Sequence, residues 1–113
     1  PEVLYNLGNS LVKQKKYNQG IQSLSQSAGK GDKVIRQNSW YNTGNAFFEA
    51  GRFKESAEAY VQALKLDPSD KDAKHNLELA LLKLKEQQSG SNQKQKDSDN
   101  SKKDKQDDSS PGK

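Results

Sequence analysis

The fold is decided by a seven-residue stretch that occurs twice, as LYNLGNS at residues 4–10 and as WYNTGNA at residues 40–46. At the same displacement of 36 residues, Leu24 aligns with Tyr60. Large residues coincide with large ones, and small residues with small ones, over two dozen positions. An internal period of this length is typical of proteins built from stacked helix pairs. We therefore expect two such units in series.

Each copy begins a pair of helices, because apolar residues recur at helical spacing from its first residue onward. Breaks are predicted at residues 14–16 and 51–52, and a second helix follows each break. Gly8 and Gly44 fall inside the first helices, where a glycine costs about 1 kcal/mol relative to alanine. We therefore expect the second helix of each pair to approach closely at these two glycines.

A single further helix is predicted at residues 71–88. Pro68 disfavours a helical Asp67, and Ser69 or Asp70 is suited to cap the helix that follows. One apolar stripe of this helix is expected to pack on the preceding pair and so to cap the stack. The residues of that stripe are Ala73, Leu77, Ala80, Leu81 and Leu84.

Residues 89–113 form a polar, low-complexity tail that is predicted to be disordered. The tail contains no Val, Ile, Leu, Phe, Tyr, Trp or Ala. It carries 6 basic and 5 acidic residues, and residues 1–88 carry 13 and 10. Neither part concentrates one sign of charge as a nucleic-acid-binding surface does. Weak nucleic-acid binding by the tail is the least favoured of the binding hypotheses, and no nucleic-acid partner is expected.

Residues at characteristic places of the second unit make the sequence resemble the tetratricopeptide repeat (TPR). These residues are Trp40, Gly44, Phe47, Ser56, Tyr60, Ala63 and Pro68. The resemblance implies an all-α fold, a right-handed superhelical stack of antiparallel helix pairs. It implies a TPR domain at residues 1–88, with unit 1 at 1–36, unit 2 at 37–70 and a capping helix at 71–88.

The first unit departs from the family pattern. Gly20 and Ser27 replace the usual alanines, and two extra residues lengthen the turn at residues 29–32. We expect these differences to change the angle between the two units and not the fold. The chain begins at a proline, so it is expected to be a fragment or a processed form.

A narrower resemblance rests on the stretch DAKHNLELAL at residues 72–81 and on the Lys/Asp/Gln/Ser tail after residue 88. This part looks like the tetratricopeptide proteins of bacterial aerotolerance (Bat) operons. That resemblance implies association with the bacterial cell envelope and a von Willebrand A-type membrane protein as partner. Nothing else in the sequence indicates a compartment.

The family resemblance implies a non-catalytic scaffold whose first helices line a concave groove that binds a peptide or helical segment of another protein. The residues that would face the groove are Tyr5, Asn6, Asn9, Tyr41, Asn42, Asn45, Phe48, His75, Asn76, Leu79 and Leu82. A side-chain amide offers both a donor and an acceptor to an extended main chain, and tyrosine adds apolar area with a polar tip. Repeat ancestry alone also explains any single asparagine here, so only the set as a whole favours binding.

Leu79 and Leu82 form a second stripe on the last helix, with His75 and Glu86, outside the core stripe. Apolar residues in such a place indicate a contact surface. The contact is with a groove ligand, with a continuation of the protein or with a second copy of the chain. Self-association through this stripe is therefore the alternative function.

Catalytic and metal chemistry have little support in the residue types. The chain has no cysteine and a single histidine, His75. It therefore has no thiolate and no ligand set at metal spacing, and no serine is marked as a nucleophile beside a base. We expect no enzymatic activity and no cofactor. The apolar runs are only a few residues long, so no membrane insertion is expected from this segment.

Overall fold

The computed structural model describes the backbone of residues 1–101 and the side chains of residues 1–90. This part of the chain contains five α-helices and no strand. The helices are α1 Glu2–Lys13, α2 Tyr17–Ala28, α3 Lys33–Glu49, α4 Phe53–Leu66 and α5 Lys71–Ser101. The predicted all-α class, with two helix pairs followed by a further helix, is confirmed.

The turns inside the two pairs are built alike. Lys15 and Gly51 occupy equivalent places and both have a positive φ, of 64° and 79°. In the first pair the Lys16 N–H donates to the Leu11 carbonyl at 2.9 Å, and the equivalent bond in the second pair is 2.8 Å long. Helices commonly end at a residue with positive φ, and the N–H of the next residue then bonds to the carbonyl five residues before it. The two predicted breaks are therefore confirmed.

Within each pair the helices approach most closely at a glycine. A Cβ atom on Gly8 would lie 2.7 Å from the Leu24 side chain, and one on Gly44 would lie 2.5 Å from the Tyr60 ring. Close-packed interiors do not accommodate such separations, so the expected close approach is confirmed. Gly20 has the same role, because a Cβ there would lie 2.9 Å from the Gly8 carbonyl oxygen. This contact explains why glycine replaces the usual alanine.

The two pairs meet where α2 packs against α3. Ser39 and Ser27 are both fully buried at this junction. The Ser39 hydroxyl donates to the Ser27 Oγ at 2.8 Å, and the Ser27 hydroxyl donates to the Pro1 carbonyl at 3.1 Å. Ser27, the second departure from the family pattern, is therefore one half of a satisfied buried pair.

Helix α3 begins at Lys33, before the boundary that the sequence predicts between residues 36 and 37. The Asp32 Oδ1 accepts a hydrogen bond from the Ile35 N–H at 2.9 Å. This is an N-cap interaction, and it fixes the start of the helix. The turn that the sequence predicts at residues 29–32 thus leads directly into α3.

Helix α5 packs against α4 and caps the stack. The Asp70 Oδ1 accepts from the Ala73 N–H at 3.1 Å, so Asp70, one of the two predicted caps, begins this helix. Ala73 and Ala80 are fully buried. Leu77 packs beside Tyr60 and Ala80 in the core.

The prediction that Leu81 belongs to the core stripe is wrong. Its side chain is 49% exposed, which equals the exposure of Leu82 at 50%. At about 100° per residue, Leu81 lies roughly 80° from the centre of the stripe. No helix within residues 1–101 follows α5 to cover that edge.

Helix α5 runs to Ser101, beyond the predicted helix end at residue 88. No proline interrupts it, and around Gly90 a Cβ atom would meet nothing within 4 Å. Neither a proline nor a close contact therefore ends the helix at residue 88. The rest of the predicted disordered tail, residues 102–113, lies outside the described residues. Within the described residues, no helix combines the length and the apolar character that crossing a membrane requires.

Candidate interaction face on the first helices

The first helices α1 and α3 lie side by side and are joined by side-chain hydrogen bonds. The Asn42 amide Nδ2 donates to the Tyr5 hydroxyl oxygen at 2.9 Å and to the Asn9 Oδ1 at 3.0 Å. Tyr5 and Asn9 are four residues apart, so they lie on one face of α1. Tyr5, Asn9 and Asn42 therefore lie together on one surface of α1 and α3.

The same arrangement recurs one unit later, between α3 and α5. The Asn76 amide Nδ2 donates to the Tyr41 hydroxyl oxygen at 3.0 Å and to the Asn45 Oδ1 at 3.3 Å. We call these two sets of bonds the amide ladder. Its donors are Asn42 and Asn76, and its acceptors are Tyr5, Asn9, Tyr41 and Asn45. The surface formed by α1, α3 and α5 on this side is called the first-helix face.

Tyr60 of α4 orients Asn45, an acceptor in the second set of ladder bonds. Its hydroxyl donates to the Asn45 Oδ1, and its ring lies 5.8 Å from that of Tyr41, centroid to centroid. Tyr60 is 1% exposed, and this burial raises the pKa of its hydroxyl to about 12. The hydroxyl therefore stays protonated at neutral pH and keeps donating to Asn45.

The ladder gives the asparagines two different roles. Both N–H bonds of the Asn42 and Asn76 amides are used inside the chain, which leaves their Oδ1 atoms as acceptors. The Oδ1 atoms of Asn9 and Asn45 accept these bonds, which leaves their Nδ2 groups as donors. The sequence alone treats all of these amides as equivalent.

The unused amide nitrogens belong to half-buried residues and remain accessible to solvent. Within the described side chains, Thr43 Oγ1 is the one buried nitrogen or oxygen atom without a hydrogen-bond partner. The Nδ2 atoms of Asn9 and Asn45 also have no hydrogen-bond partner among the described residues. Because neither is counted among the buried unpaired atoms, both are accessible to solvent. The first-helix face therefore presents one neutral donor from α1 and one from α3.

The remaining residues of the predicted set surround the ladder. Asn6 is exposed on α1, in the place that Asn42 has on α3. Phe48 is half-buried, with its ring in edge contact with Phe53 at 5.0 Å. His75 and Leu82 are exposed on α5, as is Leu79, at 37%. The structure therefore brings the ladder residues together by direct contact and leaves Asn6, His75, Leu79 and Leu82 free on the surface.

Sequence reasoning missed Tyr60 as part of the site. It is absent from the predicted groove residues, and only the structure shows that its hydroxyl orients Asn45. One signal is present in the sequence: Tyr60 stands where the first unit has Leu24, so it brings a hydroxyl to an otherwise apolar place. A buried tyrosine hydroxyl needs a partner, and Asn45 on the facing helix supplies it.

The described residues contain no candidate metal site. No group of three or more His, Asp or Glu side chains lies close enough together there to hold a metal ion. All six ladder residues are uncharged. The face can therefore offer hydrogen bonds and aromatic area, which are the means of recognising a polypeptide main chain.

Two helix pairs and a capping helix, with the polar contacts between units on the first helices, define a helical repeat protein. Family comparison gives the kind of repeat. One TPR repeat model matches residues 44–85, and a second tetratricopeptide repeat model matches residues 1–29. The chain is a tetratricopeptide-repeat protein. No curated protein matches it.

Proposed function

We propose that this protein is a non-catalytic scaffold that binds a segment of a partner protein across the first-helix face. Tetratricopeptide repeats generally mediate protein–protein interaction. The observation that carries the proposal is the pair of solvent-open amide donors of Asn9 and Asn45, held in fixed orientation by the ladder. Preorganised donors of this kind bind a main chain with little loss of side-chain entropy.

Asn42 is not a suitable residue for testing this proposal. Replacing it with alanine would remove both bonds between α1 and α3, so lost binding would not be separable from lost packing. Asn9→Asp and Asn45→Asp are better variants. Aspartate keeps the oxygen that accepts from the neighbouring helix and removes the N–H donors.

The test is selection of binding peptides from a random display library on the immobilised protein, followed by affinity measurement with purified peptides. Selected peptides are expected to bind the wild type. The double variant Asn9→Asp/Asn45→Asp should bind the same peptides with at least tenfold lower affinity. Gln22→Glu is the matched control, because Gln22 is exposed on α2 and the change likewise turns an amide into an acid. Selected peptides that bind all three proteins equally would contradict the proposal.

The resemblance of residues 72–81 to the aerotolerance group supports a narrower proposal, in which the partner is a von Willebrand A-type protein of the bacterial cell envelope. Only that stretch and the composition of the tail support it, since the two matching family models are general ones. Calorimetric titration of the protein with a purified von Willebrand A-type domain of a bacterial cell-envelope protein tests this. Heat of binding that the Asn45→Asp change abolishes is the expected result, and no heat at all would contradict it.

Self-association is the second candidate function. Leu79, Leu81 and Leu82 are 37%, 49% and 50% exposed on α5, and a second copy of the chain would bury them. Sedimentation equilibrium over a wide concentration range is expected to show a dimer that Leu82→Lys returns to the monomer. A wild type that stays monomeric at the highest concentration would remove this candidate.

A further inference from the structure

The open donors of the first-helix face are separated by one helix-to-helix spacing. Asn9 and Asn45 occupy equivalent places on α1 and α3, and these helices approach so that some of their Cα atoms lie within 8 Å. Packed helices have axes about 8–10 Å apart. The donors of Asn9 and Asn45 therefore repeat at about 8–10 Å along a line that crosses the helices.

The open acceptors repeat in the same way. The Oδ1 atoms of Asn42 and Asn76 accept no hydrogen bond among the described residues, while their Nδ2 atoms point to the preceding helix. Neither oxygen is buried. A bound main chain would therefore meet one donor and one acceptor for each helix-to-helix step.

A polyproline II segment matches this interval. It has three residues per turn and rises about 3.1 Å per residue, so a carbonyl or N–H returns to the same side about every 9 Å. A β-strand repeats a side every two residues, at about 6.7 Å, and every four residues at about 13 Å. An α-helix uses its own carbonyls and N–H groups internally. Of these three forms, polyproline II presents a main-chain carbonyl and N–H in step with the ladder.

We infer that the first-helix face binds an uncharged polyproline II segment of another protein, lying across α1, α3 and α5 with one turn for each ladder step. This inference rests on the proposed function and adds the conformation of the bound segment. Proline at two of three positions keeps the segment in this form before binding, which lowers the entropy lost on association. The third position keeps a main-chain N–H, which donates to the Oδ1 atom of Asn42 or Asn76.

The test uses two synthetic peptides of equal length, acetyl-(Ala-Pro-Pro)4-amide and acetyl-(Gly-Ser-Ala)4-amide. Both are neutral, and only the first is held in the polyproline II form, which circular dichroism checks. Each is titrated into the ¹⁵N-labelled protein while the asparagine side-chain NH2 signals are followed. Loss of a signal in Asn9→Asp or Asn45→Asp assigns that signal.

We expect the proline-rich peptide to shift the Asn9 and Asn45 NH2 signals to saturation, with at least tenfold higher affinity than the flexible peptide. Gln22→Glu should bind it as the wild type does. Equal affinity for the two peptides, or no shift of either signal, would overturn the inference.

The polyproline II inference and the proposed function can fail separately. A display-selected peptide that shifts the Asn9 and Asn45 signals, while the proline-rich peptide does not, would overturn the polyproline II inference and leave the proposed function standing. If neither the proline-rich peptide nor any selected peptide shifts these signals, both are wrong.

Discussion

At the scale of single residues, one amide has its orientation fixed from two sides. Asn45 Oδ1 accepts one hydrogen bond from the Tyr60 hydroxyl on α4 and one from the Asn76 amide on α5. A flipped amide would place an N–H against two donors, so this orientation is strongly favoured. Asn9 has no tyrosine beneath it, because Leu24 stands in the place of Tyr60. Of the two open donors, that of Asn45 is therefore the more firmly held.

Thr43 is the residue whose replacement is expected to stabilise the protein. It is 1% exposed and its Oγ1 has no hydrogen-bond partner. Thr43→Val keeps the shape and removes the buried unpaired hydroxyl, so the free energy of unfolding should rise by about 1 kcal/mol. Urea denaturation measures the change. Thr43→Ser is the control, because it keeps the hydroxyl and loses a methyl group. A Thr43→Val protein less stable than the wild type would show that the hydroxyl is satisfied.

Tyr60 makes the stability depend on pH in the alkaline range. Burial raises its pKa from 10.0 in the unfolded chain to about 12 in the folded protein. Between these values the unfolded state has lost the proton and the folded state keeps it, so stability falls as pH rises from 10 to 12. Below pH 10 the hydroxyl contributes no pH dependence.

This effect is measured by comparing denaturation of the wild type and of Tyr60→Phe across that pH window. The wild type should lose stability more steeply than the variant, which has no group to titrate at residue 60. Parallel curves would mean that the Tyr60 hydroxyl titrates alike in both states and lacks the environment described above.

At the scale of helices, each pair depends on the absence of a side chain at one glycine. Gly44→Ala would place a Cβ 2.5 Å from the Tyr60 ring, and overpacking of this kind costs about 1–3 kcal/mol. Thermal unfolding should therefore show a clear loss of stability. Gly90→Ala is the control, since nothing lies within 4 Å of a Cβ there and alanine favours the helix. Equal stability of Gly44→Ala and the wild type would contradict the close approach of α3 and α4.

Helix positions were predictable from the sequence because the signals for them are local. The repeat register, the glycines inside helices and the cap at Asp70 each follow from a few neighbouring residues. The exposure of Leu81 was not predictable, because it depends on whether a further helix packs on α5. The start of α3 at Lys33 directly follows the predicted turn at residues 29–32, where the Asp32 carboxylate caps the helix.

The division of roles among the asparagines was beyond sequence reasoning. It depends on which atoms of neighbouring helices meet, and spacing along one helix does not give that. A partial signal exists, because tyrosine and asparagine stand four residues apart in both units, at Tyr5 and Asn9 and at Tyr41 and Asn45. The pair faces an asparagine of the next first helix each time.

At the scale of the whole molecule, α5 differs from α1 and α3 in ways that end the ladder. At a displacement of 34 residues from α3, Glu78 stands in the place of Gly44, and His75 and Leu79 replace the tyrosine and asparagine. At these places helix α5 therefore has no glycine for close approach of a second helix and no acceptor pair for another asparagine. Asn76 of α5 donates the last two ladder bonds. The exposed side chains of Leu79 and Leu82 form the apolar part of the face on this helix.

The amide ladder joins the three first helices and leaves the Asn9 and Asn45 donors open. Its most direct test is the hydrogen-exchange rate of the asparagine side-chain NH2 groups, measured by NMR with exposed Asn6 as the reference. Exchange should be slowed at Asn42 and Asn76 and close to the reference at Asn9 and Asn45. Free exchange at Asn42 and Asn76, or protection at Asn9 and Asn45 instead, would contradict the account.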